Sequence, residues 1–236
     1  MYIIAGSTGT TGSAIANELA KENAIHLIGR DEEKLKIQAA DLNCSYTLLD
    51  LNKVVEPKQF SENLSTDIEI KGLINCIGSI LLKPLHGTSI EEFDDVIKTN
   101  LFSSYYLLAS YSRRMKNGSA IFFSSVAASK GLANHEAISA AKAGIEGFVR
   151  SSASTYAKDN LRINAIAPSI MQSNMSQKIL SSDTAIEVSK NMHPINKIGD
   201  VNDILPVVKW LLSDDSKWVT GQTIHVDGGL STVKTR

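Results

Sequence analysis

Two polar side chains in the stretch IFFSSVAASKGLANHEAISAAKAGIEG, residues 121–147, are placed to do chemistry together: Ser125 and Lys142. A serine hydroxyl can hold a carbonyl oxygen by a hydrogen bond, and a lysine ammonium can stabilise negative charge that develops there. Ser125 stands just past an apolar run that reads as a buried strand, and Lys142 lies seventeen residues on in a helical segment. His135, seven residues before Lys142, falls two turns away on nearly the same face of a continuous helix. Its imidazole is a competent proton donor, although a lone histidine at a helix start is more often a surface or capping residue.

These groups need elements to hold them. Apolar runs of four to six residues alternate with longer amphipathic segments, the pattern of a parallel sheet covered by helices. The predicted strands cover 2–5, 24–28, 46–49, 72–76, 120–123, 162–166 and 223–226. The clearest predicted helices cover 13–22, 32–39, 90–115, 134–157 and 201–212. No repeat or linker divides residues 1–236, so one α/β domain is expected, a Rossmann-type doubly wound sheet of seven parallel strands with helices on both faces.

The first strand runs into AGSTGTTGSAIA, where Gly6, Gly9 and Gly12 form GxxGxxG directly before a helix. Glycines there allow a tight turn and let backbone N–H groups approach a pyrophosphate that the helix dipole also attracts. Dinucleotide folds place an acidic residue about twenty positions on to bind the ribose 2′-hydroxyl. Gly29 and then Arg30 stand there instead, and a guanidinium can pair with a 2′-phosphate and stack on adenine. NADP(H) is therefore expected over NAD(H), with Asp31 still within reach of the ribose.

Composition narrows the remaining classes. With 43% hydrophobic residues, 21% charged residues and a net charge of -1, the chain offers no electrostatic case for nucleic acid or an anionic membrane. No apolar run approaches the roughly eighteen residues a spanning helix needs, and MYIIAGSTG enters a strand without a basic or cleavage region. Cys44 and Cys76 have neither CxxC nor metal spacing, so buried reduced thiols and no metal are expected. A cytoplasmic protein acting on a small molecule is the expectation.

The layout resembles the short-chain dehydrogenase/reductase family, and the chain from Pro194 onward, PINKIGDVNDILPVVKWLLSDDSKWVTGQTIHVDGG, is similar to its ketoreductase-like branch. In that family a serine holds the substrate carbonyl, and a lysine both fixes the nicotinamide ribose and lowers the pKa of a tyrosine four residues before it. The resemblance assigns those first two roles to Ser125 and Lys142, and a water-anchoring role in a proton relay to Asn100. It implies cofactor contacts by the turn containing Gly6, Ser7, Thr8, Gly9, Thr11 and Gly12, and by Arg30. Asp50 and Leu51 would meet the adenine, with Asn75 and Gly78 in the stretch NCIG that resembles the family's NNAG. Pro168 and Ser173 would serve the nicotinamide side, with Ser169 where glycine is usual. Residues 174–195 resemble a substrate lid, with Met171, Met175 and Met192 as candidate pocket walls. Relatives of this kind pack as dimers or tetramers, so a homo-oligomer is implied.

One position breaks the pattern. Ile138 occupies the tyrosine position, and an alkyl group can neither give nor take a proton. Three readings follow. Another group is the acid, for which His135 in His-x-x-Ile-x-x-x-Lys resembles the Tyr-x-x-Met-x-x-x-Lys of divergent enoyl reductases. Alternatively, Ser125, Lys142 and water suffice, or the protein binds NADP(H) as a sensor or inactive subunit without turnover.

Overall fold

Short, nearly continuous apolar runs dictate a sheet buried on both faces. In the computed structural model, which describes residues 1–51, 64–65 and 67–234, seven strands form one sheet. They are β1 (Tyr2–Ala5), β2 (Ile25–Gly29), β3 (Ser45–Leu48), β4 (Gly72–Asn75), β5 (Ser119–Phe123), β6 (Arg162–Pro168) and β7 (Thr223–Val226). Their order is β3-β2-β1-β4-β5-β6-β7, and every pairing is parallel. Parallel neighbours need crossovers, and helices provide them: α1 (Thr10–Leu19), α2 (Glu32–Asp41), α3 (Ile90–Ile97), α4 (Ser103–Tyr111), α5 (Glu136–Tyr156), α6 (Asp183–Asn191) and α7 (Val201–Leu212).

Successive strand residues point to opposite faces. Ile3, Leu73 and Phe122 join Leu107, Tyr111, Ile145 and Val149 of α4 and α5 in one core. Ile4, Ile74 and Ile121 join Ile15, Leu35, Ile204 and Val208 of α1, α2 and α7 in the other. The order reverses direction between β1 and β4, so the crevice at the carboxyl ends of the strands opens there.

Three expectations about elements are corrected. The predicted helix over 90–115 is broken by a π-helical turn, Lys98–Phe102, between α3 and α4. The helix predicted from residue 134 begins at Glu136, with His135 as its N-cap outside the helix. Helix α1 begins at Thr10, three residues before the expected start, because Gly9 supplies the extended N-cap. The 174–195 segment also contains α6, whose start is fixed by the Ser182 side chain accepting from Ala185 N–H at 3.2 Å.

One buried group carries a pH prediction. His26 on β2 is 1% exposed, with Nδ1 2.8 Å from Ser45 Oγ and Nε2 2.9 Å from Thr47 Oγ1. Burial pushes its pKa down to about 4. The unfolded chain protonates this ring near its ordinary value of about 6.5, so the unfolded state binds more protons between those limits. Stability should therefore fall as pH drops through that window, by about 3 kcal/mol at pH 4. Urea unfolding of wild type and His26→Gln at pH 7 and 4.5 checks this. An equal acid loss in both would remove His26 as the cause.

Candidate active site

The turn after β1 is shaped by its glycines. Gly6 has φ +74°, and a Cβ there would come within 2.8 Å of the Cys76 carbonyl carbon. A Cβ on Gly12 would lie 2.2 Å from Gly6 O. The chain therefore folds tightly back against β4, and α1 opens at Gly9 with no side-chain cap on its first N–H groups. Such a helix start attracts an anion.

Two adjoining cavities, of about 680 and 640 Å³, share Gly9, Arg30 and the Cys76–Ile80 wall and run along the carboxyl ends of the strands. Gly6, Thr8, Asp50 and Leu51 line the second, while Thr11, Gly12, Pro168 and Ser173 line the first. Gly78 lines both, and a Cβ there would meet Asn100 Oδ1 at 3.1 Å and Lys142 Nζ at 3.7 Å. Two expected contacts lie behind the wall: Ser7 is 0% exposed and Asn75 2%. Asn75 Nδ2 instead donates to Ser103 Oγ and Ser104 Oγ, at 3.1 and 3.0 Å, and its Oδ1 accepts from Ile77 N–H. The asparagine fixes the loop that forms the wall. Ser173 lines the cavity but also caps a short helical turn, accepting from Ser176 N–H at 3.2 Å.

Arg30 is exposed and lines both cavities. Asp31 is engaged elsewhere, as the α2 N-cap accepting from Lys34 N–H at 3.2 Å and as an ion pair with Lys34 Nζ at 2.9 Å. Those contacts hold its carboxyl below the usual range.

Ser125, Lys142, Asn100, His135 and Ile138 all border the larger cavity. Ser125 follows β5 in extended conformation, and its Oγ accepts from Ala127 N–H at 3.2 Å. That leaves its own hydrogen free to donate into the cavity. Lys142 on α5 is 8% exposed, and its ammonium donates to Phe123 O at 2.8 Å. Burial lowers its pKa to about 8, and the same burial raises the neighbouring Cys76 thiol to about 12, with Lys142 pulling the other way. Asn100 sits in the π-turn, 0% exposed, with Nδ2 donating to Val96 O at 2.9 Å and its Oδ1 accepting from Ser79 N–H at 3.3 Å. Ile138, one turn before Lys142, is 4% exposed and packs with Val96, Ala137 and Ala141. His135 is half-buried, and its Nδ1 lies 2.7 Å from Ala133 O. A carbonyl only accepts, so Nδ1 carries the hydrogen and Nε2 is the open position.

The sequence reading missed a second histidine. His193 follows α6, is 5% exposed and borders the same cavity as Ser169. Its Nε2 lies 2.8 Å from Ser169 Oγ and its Nδ1 2.7 Å from Ser189 O. The only sequence signal for this pair was a serine where glycine was expected.

Comparison with known proteins fits this architecture. A family model described as Enoyl-(Acyl carrier protein) reductase matches residues 6–231. The chain belongs to the short-chain dehydrogenase/reductase family. Among curated members it is 32% identical over 97% of its length to a chloroplastic tropinone reductase homolog of Arabidopsis thaliana, covering 74% of that protein. It is likewise 32% identical over 98% of its length to the 3-oxoacyl-[acyl-carrier-protein] reductase FabG of Rickettsia bellii, covering 96% of it. Solved structures share the fold. One from Mycobacterium ulcerans superposes with TM-score 0.88 at 23% identity, covering 98% of this chain and 89% of that one. ElxO with NADP bound gives TM-score 0.88 at 22% identity, covering 97% of each chain. The family is one of oxidoreductases. Among the described residues no group of three or more His, Cys, Asp or Glu side chains could hold a metal, and no helix is long and apolar enough to cross a membrane.

Proposed function

We propose that this chain is an NADP(H)-dependent reductase that adds hydride to a carbonyl or activated enoyl carbon of a small molecule, with a proton donor other than the usual tyrosine. The observation that carries this is the convergence of Ser125, Lys142 and Arg30 on one cavity of about 680 Å³ floored by the glycine turn. NADP bound to ElxO, a protein of the same fold, supports the choice of cofactor.

The residues fit a dinucleotide. The close-packed glycine turn and the uncapped start of α1 would hold the pyrophosphate, Arg30 the 2′-phosphate, and Asp50, Leu51 and Gly78 the adenosine side. Pro168, Ser173 and Lys142 would flank the nicotinamide. When bound, NADPH supplies the hydride. The chain's own part is positioning and charge. Ser125 donates its free hydroxyl hydrogen to the substrate oxygen, and the Lys142 ammonium stabilises the charge that grows there. Leu82, Leu132, Met171 and Met192 line the cavity and exclude water. We read residues 174–195 as the lid over it, since Met175, Ile179, Ser189 and Met192 all face the cavity.

NADPH consumption with acetoacetyl-CoA, crotonyl-CoA and tropinone, by wild type beside Ile138→Tyr, tests the reading. Turnover by wild type is expected. Turnover by the tyrosine variant alone would make the natural protein a cofactor-binding sensor or inactive subunit. Arg30→Ala should weaken NADPH binding at least ~10-fold and NADH binding much less, because both lose the stacking on adenine but only NADPH loses the partner of its 2′-phosphate. Fluorescence titration measures both, and equal losses would transfer the preference to another group.

A further inference from the structure

The reductase reading leaves the source of the proton open, because Ile138 has none to give. The structure assigns that role to Ser169 as the proton donor, with His193 as the positioning residue that recharges it. This rests on the reductase reading and adds the residue that completes its chemistry.

Ser169 is the residue after β6, and its register places it near Ser125. Strands β5 and β6 pair with Phe123 opposite Ile166, and Ser124 N–H continues the ladder to Ile166 O at 2.8 Å. Extending that register sets Ser125 opposite Pro168, so Ser169, the residue after β6, lies at the same carboxyl end of the sheet. Both serines border the same cavity.

The geometry around His193 fixes which nitrogen exchanges a proton. Nδ1 faces Ser189 O at 2.7 Å, a carbonyl that only accepts, so Nδ1 keeps its hydrogen in either charge state. The proton that comes and goes is therefore on Nε2, aimed at Ser169 Oγ at 2.8 Å. A hydroxyl, an imidazole and a group orienting the imidazole in series are the arrangement of a proton relay. Hydrogen bonds at both ring nitrogens hold His193 in place. His135 borders the cavity too, but it is half-buried, and among the described residues no hydroxyl bonds its Nε2.

The step balances as follows. As hydride forms the new C–H bond, the carbonyl π pair moves onto oxygen and takes the hydroxyl proton of Ser169. Ser169 Oγ takes the Nε2 proton of the His193 imidazolium. The ring is left neutral with its Nδ1–H still on Ser189 O, and solvent returns the Nε2 proton after product leaves. In the oxidative direction each transfer runs backwards.

The test uses glycine, the family's usual residue at this position. Ser169→Gly should lower kcat at least ~100-fold with KM and NADPH affinity within about threefold, since general acid catalysis contributes that much and the turn accepts glycine. Ser169→Thr should restore most of it. Ile138→Tyr combined with Ser169→Gly should also recover turnover by supplying the phenol. His193→Asn should lower kcat without moving NADPH affinity. Nitrogen-15 NMR of wild type should show the neutral His193 ring protonated at Nδ1, a readout independent of turnover. Wild-type kcat in Ser169→Gly, an Nε2–H ring, or loss confined to His135→Ala would overturn the assignment and leave the reductase standing. A wild type that binds NADPH but consumes none with the three substrates, while Ile138→Tyr does, overturns both.

Discussion

Replacing Lys142 with methionine should abolish turnover and stabilise the ligand-free protein in the same variant. The residue is 8% exposed, its ammonium is hydrogen-bonded to Phe123 O, and burial lowers its pKa to about 8. The unfolded chain holds the same proton up to about 10.4. Between those values the unfolded state binds more protons, so stability rises with pH across the window. Below pH 8 the folded state carries the full cost of a buried charge, about 3 kcal/mol for that shift. Methionine fills similar space without charge, although Phe123 O loses its donor and offsets part of the gain. A net gain of roughly 1–2 kcal/mol at pH 7 is expected, shrinking towards pH 10. Turnover should fall at least ~100-fold, because the positive charge beside the developing oxyanion is gone. Urea midpoints at pH 7 and 9.5 with parallel NADPH assays check both halves. A destabilised variant that still turns over would contradict the role and the energetics together.

Gly12→Ala should remove cofactor binding by opening the turn, whereas Gly9→Ala should keep the turn closed and lose less affinity. The two glycines look equivalent in GxxGxxG, and the structure separates them. A Cβ at Gly12 meets Gly6 O at 2.2 Å and Ser7 Cα at 2.9 Å, all backbone that cannot yield without opening the turn. A Cβ at Gly9 meets Gly6 O at 3.4 Å, an ordinary contact. Forcing the turn open moves the start of α1 away from the anion it would hold, so an affinity loss of at least ~100-fold is expected. Calorimetric titration with NADPH measures both variants, and circular dichroism separates lost binding from lost folding. Equal tolerance at the two positions would show that the turn is not held by this contact.

The contrast indicates what could be read from the chain and what could not. Strands such as Tyr2–Ala5 and Ile25–Gly29 were legible because residues buried on both faces of a parallel sheet are mostly apolar. Ser125 and Lys142 were legible because sequence spacing fixes their places on a strand end and the helix after it. His135 was expected on the face of a continuous helix, but that helix starts one residue later, so its place depended on cap geometry that spacing does not encode. The α6 helix was missed because it is short and polar, with Ser189 alone buried among its residues and a serine cap marking its start. The Ser169–His193 bond joins residues 24 positions apart across a loop and a helix, and no local pattern announces such a pair. Ser7 and Asn75 belong to the right motifs, yet both side chains are buried, and that of Asn75 braces the wall from behind. A motif locates a segment without saying which of its atoms face the ligand.

The π-helical turn at Lys98–Phe102 has a consequence for how this chain tolerates change in length. A π-turn is an α-helix carrying one residue too many, and the flanking turns keep their phase around it. Val96 on one side and Leu107 and Leu108 on the other are buried independently of the surplus residue. Deleting Asn100 would let α3 and α4 merge into one regular helix with both apolar faces still seated. The domain would keep its shape and lose the carboxamide that braces Ser79. In this helix the core is held by residues on either side of the π-turn, and the cavity wall by a residue within it.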